Sequence, residues 1–204
     1  MFRLLTAAAT AVLIATPALA HHPMGGKTPS TMMEGLLSGF GHPVLGFDHF
    51  VFIIAAGLLA APRTRGLILP AAFVIGSFIG SLLHIQSVDM PGGEYLIAGS
   101  VVLMGALLVS RREIGDGLFA AILGLAGLLH GHALAEAIIG AEPTPLVAYL
   151  GGLALTQYLI AAGAALAWRV LASRNAASTL QLRRVAGACV VAVGTFFLVA
   201  NVVG

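Results

Sequence analysis

Apolar residues run almost unbroken through six stretches of the chain, at 31–61, 66–84, 94–110, 116–139, 145–172 and 181–203, each bounded by Gly, Pro or charge. None alternates polar and apolar positions as a half-buried strand would, and most reach the roughly 20 residues that a helix needs to cross a bilayer. The pattern predicts an all-α membrane protein, a bundle of six transmembrane helices. The first stretch is too long to be one straight span. As a continuous helix, 31–61 would measure about 46 Å, well beyond the hydrocarbon core. Pro43 and Gly46 lie in its middle, so a break is expected there, with a short outer piece leading into a helix that starts near Asp48. Spanning helices tolerate such breaks where the freed backbone lines a cavity or a site.

Residues 1–20 follow a different pattern. Arg3 precedes an apolar run from Leu4 to Ala15, Pro17 interrupts it, and Ala18-Leu19-Ala20 presents small residues for cleavage. This predicts a signal peptide at 1–20, a periplasmic tail at 21–30 and a transmembrane helical domain at 31–204. His21 and His22 would then open the mature chain, a pair able to hold a divalent ion loosely beside a terminal amine. The Pro143-Thr144-Pro145 segment reads as a rigid outer turn. Gly76-x3-Gly80, Ser77-x3-Ser81, Gly124 and Gly127 have the spacing that lets membrane helices approach closely, and Gln157 reads as a helix–helix hydrogen-bonding residue.

Composition supports the lipid setting. Of 204 residues, 59% are hydrophobic and 9% charged, with a mean hydropathy of +1.01, far from the balance of a water-solvated domain. The net charge of +2 comes without any basic tract for nucleic acid. Instead Arg63, Arg65, Arg111, Arg112, Arg169, Arg174, Arg183 and Arg184 fall in alternate loops, whereas the loops near 85–93 and 140–144 carry no Lys or Arg. Positive residues mark the cytoplasmic side, so both termini are expected in the periplasm and the protein in the bacterial inner membrane. The single Cys189 lies in an apolar run and is expected to be a small core residue.

Against this background a few ionisable residues stand out. His42, Asp48 and His49 flank the expected break. His130, His132 and Glu136 lie in the fourth stretch, where His132 and Glu136, four apart, share a helix face and His130 points away. His84 ends the second stretch and Glu94 begins the third. All belong to the outer half of the membrane, whereas every Arg sits in the inner loops or at the inner helix ends. Buried carboxylates there need protonation, water, an imidazole or a bound cation. Imidazole plus carboxylate suits nickel, cobalt, zinc or copper. Plainer readings exist for single residues: Asp48 as a helix-start acid, Glu94 likewise, and His84 as a packing residue.

These residues resemble the HupE/UreJ family of nickel permeases, membrane proteins that accompany hydrogenase and urease maturation. The resemblance is carried by His42-Pro43-x-x-Gly46-x-Asp48-His49, by His130-Gly131-x-Ala133 with downstream Glu136, by Pro91-x2-Glu94 and by Ala141-Glu142-Pro143-Thr144-Pro145-Leu146. Many members have a second His where Leu134 stands, Gly where Ala135 stands and Glu one place later. The resemblance implies a non-enzymatic secondary permease that imports nickel or cobalt, with His42, Asp48 and His49 as the core of the metal site, His130 and Glu136 facing them, and Glu94, His84 and His132 around it. It implies no prosthetic group; the Ni2+ or Co2+ ion is cargo. Expected partners are that ion and the lipid bilayer, with a homo-oligomer and urease or hydrogenase maturation proteins as further candidates. Two other readings use the same ligands: an intramembrane zinc hydrolase assisted by Ser81 or Glu94, and a haem or metal-storage subunit with paired axial histidines.

Overall fold

A computed structural model describes residues 27–203 except 111 and 113, with only the backbone of 176–178. The expected signal peptide and the His21-His22 pair lie outside the described residues. Within them every regular element is helical: α1 (Met32–Leu45), α2 (Phe47–Ala60), α3 (Pro70–Ile85), α4 (Gly93–Ser110), α5 (Asp116–Leu134), a short 3-10 turn (Ala135–Ile138), α6 (Pro143–Arg174) and α7 (Ala176–Val203). Four helices are long and apolar enough to cross a bilayer, and α1 with α2 makes a fifth, broken span bent by 77°. The chain is a multi-pass helical membrane protein.

The break falls at Gly46. Thr31 and Glu34 close a capping box that starts α1, satisfying the first free N–H groups. Pro43 sits inside α1 without ending it, and the Gly46 N–H still bonds to the His42 carbonyl at 3.0 Å. Gly46 then turns extended, at φ −73 and ψ 95, and α2 starts one residue later. Helix α2 is apolar all round and buries both its faces: Phe52, Ile53, Ala55 and Ala60 are fully covered. It is therefore the central helix of the bundle, packed against α3, α4, α6 and α7.

Proline moves two helix starts from the sequence expectation. Pro70 occupies the first turn of α3, leaving Leu67 to Leu69 in turns, so this helix has 16 residues and spans about 24 Å. It is shorter than the roughly 20 residues a spanning helix needs. Pro143 and Pro145, expected to form a turn, instead form the first turn of α6, where the missing N–H groups cost nothing. Cys189, expected in the core, is exposed on α7.

Small residues decide which helices meet. Gly76 and Gly80 of α3 lie on the backbone of Gly124, Leu128 and His132 of α5, and Gly127 and Gly131 of α5 lie on Phe73 and Ser77 of α3. These helices run parallel with backbones in contact, as the glycine spacing predicts. Gln157 crosses from α6 to donate to the Ser77 hydroxyl at 2.9 Å. A side chain at Gly131 would overlap the Ser77 backbone, and backbone cannot step aside as a flexible side chain can. Gly131→Ala is expected to lower stability by about 1–3 kcal/mol, read as an earlier thermal transition in detergent; Gly163→Ala, which meets open space, is the control.

The ends of the bundle differ in charge. Where α2, α4 and α6 finish, Arg63 pairs with Asp116 at 2.6 Å and lies over Phe119, 4.4 Å from its ring centroid. Arg169 donates to the carbonyls of Ala61 and Arg63, and Arg183 to that of Leu107. At the opposite end, where α3 and α5 finish and α4 begins, His84, Glu94, His132 and Glu136 line one cavity.

Candidate metal site

The break brings two imidazoles and a carboxylate into the bundle interior. His42 is in the last turn of α1 and Asp48 in the first turn of α2. His42, Asp48 and His49 are 1%, 3% and 1% exposed. Asp48 Oδ1 accepts the His49 N–H at 2.9 Å, a helix-start contact that leaves its second oxygen for other partners. His42 Nδ1 stands 2.7 Å from the Tyr149 hydroxyl, which in turn donates to the Leu134 carbonyl. His49 Nδ1 stands 2.7 Å from His130 Nδ1.

His130 arrives from α5 fully buried, its ring 4.5 Å from that of Phe52 and its Nε2 2.9 Å from the Ser100 hydroxyl of α4. Five helices thus contribute polar groups to the apolar interior near the break, in two hydrogen-bonded sets, His42 with Tyr149 and His49 with His130 and Ser100. Helical geometry explains the division of α5: 3.6 residues per turn puts His130 and His132 on opposite faces. His130 meets the break, and His132 meets α3.

Glu136 is not with His42, Asp48 and His49. The α-helix tightens to a 3-10 turn at Ala135, and Glu136 lines an outer cavity of about 370 Å³ together with His84, Glu94, His132 and Met90. There His84 Nδ1 lies 3.1 Å from His132 Nδ1, and His132 Nε2 is 2.7 Å from the Val88 carbonyl. The eight residues singled out from the sequence therefore occupy two places, a buried cluster (His42, Asp48, His49, His130) and an outer cavity (His84, Glu94, His132, Glu136).

Among the described residues no three His, Cys, Asp or Glu side chains are gathered tightly enough to hold an ion as they stand. The imidazoles meet in pairs instead. At 2.7 Å, the facing nitrogens of His49 and His130 are closer than two ligands on opposite sides of one metal, which need about 4 Å at roughly 2 Å per bond. That spacing disfavours the axial-histidine arrangement. Ser81, a candidate water-activating group for a hydrolase, commits its hydroxyl to the Gly131 carbonyl at 2.9 Å.

Tyr149, Ser100, Phe52 and Phe73 were not evident as site residues from the sequence. Nothing in local spacing marks them, since each meets the cluster only through helix packing.

The family model described as HupE / UreJ protein matches residues 9–197. Protein HupE of Rhizobium leguminosarum bv. viciae is 33% identical over 127 residues, covering 60% of this chain and 63% of that protein. The chain thus matches less than two thirds of that relative's length. No solved structure matches. With a family match running through the break, the buried cluster and the outer cavity alike, the chain belongs to the HupE/UreJ family.

Proposed function

We propose that this protein is a secondary permease or facilitator that imports a divalent transition metal, nickel first and cobalt second, across the cytoplasmic membrane. The carrying observation is Asp48, a carboxylate 3% exposed between two buried imidazoles at a helix break. Among the described residues the one carboxylate paired with Lys or Arg is Asp116, at the arginine-rich end. A dication is the natural complement of the Asp48 charge at that depth. The ligand chemistry suits borderline metals, and membership of a family associated with nickel and cobalt transport for hydrogenase and urease supports the same cargo.

The outer cavity serves as the mouth, where His84, His132, Glu94 and Glu136 gather ions from the periplasm. The arginines mark the cytoplasmic end, so both termini of the helical domain face outward. The ion passes inward to His42, Asp48 and His49, and the maturation machinery of a nickel enzyme is the receiving partner. The chain carries no G-x4-G-K-[ST] phosphate loop, so any ATP drive would come from another chain.

Uptake of radiolabelled nickel by cells with and without the chain, with unlabelled cobalt as competitor, tests this reading. Equal uptake in both strains overturns it. In the same assay, His84→Ala with His132→Ala is expected to raise the half-saturating nickel concentration about tenfold, about 1.4 kcal/mol of binding, with the maximal rate retained. A lost maximal rate at unchanged half-saturation would move those histidines from capture to the transfer step.

A further inference from the structure

A phenol or an aliphatic hydroxyl has one proton to donate, and a carbonyl oxygen has none. Those two facts fix the protons in the buried cluster. The Ser100 hydroxyl donates to the Ile97 carbonyl of its own helix at 2.7 Å. Toward His130 Nε2, 2.9 Å away, it can only accept, so that nitrogen carries a hydrogen. A neutral His130 then has its lone pair on Nδ1, and the facing His49 Nδ1 at 2.7 Å must be the donor. His49 is left with a bare lone pair on Nε2.

The same reasoning applies on α1. Tyr149 donates to the Leu134 carbonyl, so it accepts from His42 Nδ1 at 2.7 Å, and the His42 lone pair is on Nε2. Each half of the broken span therefore offers one imidazole whose tautomer is set by a hydroxyl anchored on a helix carbonyl.

The placement of the His49 ring agrees. Its Cδ2 edge, which adjoins Nε2, lies against Gly46, where an added Cβ would come within 2.6 Å of Cδ2. The nitrogen with the lone pair is thus on the edge turned toward the break, and the protonated one on the edge turned toward α5.

We infer that His130 is a positioning residue rather than a ligand: with Ser100 and the Ile97 carbonyl it holds His49 in the Nδ1–H tautomer, so that the His49 Nε2 lone pair is left for the ion. The identity of what that lone pair receives rests on the permease reading; the proton arrangement does not. Both His130 nitrogens are already engaged, which is how second-shell groups fix a metal-binding imidazole.

The test uses the purified full chain in detergent, with Co2+ as the metal probe. Without metal, 15N spectra of histidine-labelled protein are expected to show His42 and His49 as Nδ1–H tautomers, with His49 becoming mixed in Ser100→Ala and returning in Ser100→Thr. Co2+ affinity is expected to drop about tenfold or more in Ser100→Ala, with recovery in the Thr variant. X-ray absorption is expected to count the same number of imidazoles around Co2+ in His130→Gln as in the native protein, since Gln can accept from His49 and donate to Ser100. Loss of one imidazole in His130→Gln, or an Nε2–H tautomer at His49, overturns the inference. A native protein that shows the stated tautomers but binds neither Co2+ nor Ni2+ supports the proton arrangement and overturns the permease reading instead.

Discussion

Asp48→Asn is expected to cut metal uptake at least about a hundredfold, about 2.7 kcal/mol, while the protein still inserts and melts no earlier than the native one. Asn keeps the shape of the side chain and one carbonyl oxygen for the His49 N–H, and it is as good a helix-start residue as Asp. What it removes is the charge. A charge in the bundle interior is expensive to keep without a partner, so a neutral replacement is neutral or stabilising for the fold. The two roles of Asp48 therefore predict opposite results. As a helix cap alone, Asp48→Asn would transport normally. As a ligand, it becomes a sturdy protein that carries little metal. His42→Ala is expected to lose uptake to the same degree, with some loss of stability as well, because Tyr149 then lacks its buried donor. Uptake and a membrane-fraction melting curve, measured on the same preparations, read both effects. Native uptake in Asp48→Asn would leave the buried cluster as packing alone.

The contrast between those two residues reflects what a sequence can hold. The break was legible because 31–61 is too long for one span and carries Pro43 and Gly46, and the residues on either side of it, His42, Asp48 and His49, were legible because ionisable groups are rare in apolar runs. The separation of His130 from His132 followed from helical period alone. Other features depend on which helix packs where, and local spacing does not encode that. The glycines of α3 and α5 announced a close seam but not which partner fills it. Tyr149 and Ser100 are unremarkable members of α6 and α4 until packing brings their hydroxyls to His42 and His130. Helical period put Glu136 on the face of His132, and the two do line the outer cavity together; only the family resemblance implied that Glu136 faces the buried histidines. Leu134, where many family members have a second histidine, is fully buried among Ile138, Tyr149 and Leu153. It serves this chain through its carbonyl, and His132 supplies an imidazole on the other face. Pro143 and Pro145 read as a turn but begin α6, since proline suits a first helical turn as well as a turn.

Gly46→Ala is expected to lower uptake between about tenfold and a hundredfold with the fold intact. The backbone gives no reason for glycine here: φ is −73, open to any residue. In the unfolded state Ala has less freedom to lose, which by itself favours the folded protein by about 0.4–1 kcal/mol. The obstacle is local. An Ala Cβ would stand 2.6 Å from His49 Cδ2, inside contact distance, so the ring must give way. The ring cannot swing freely, because its Nδ1 is tied to His130 at 2.7 Å and His130 is packed against Phe52 and Phe73 at 4.5 and 5.6 Å between centroids. The displacement is therefore taken up by the His49–His130 contact and by the direction of the Nε2 lone pair, the two features on which ion binding depends. Gly151→Ala, where a Cβ meets nothing within 4 Å, controls for the general effect of replacing a membrane glycine and is expected to transport normally. Matching uptake in the two variants would mean that the His49 ring has room the packing does not show, and that its orientation is not what governs passage of the ion.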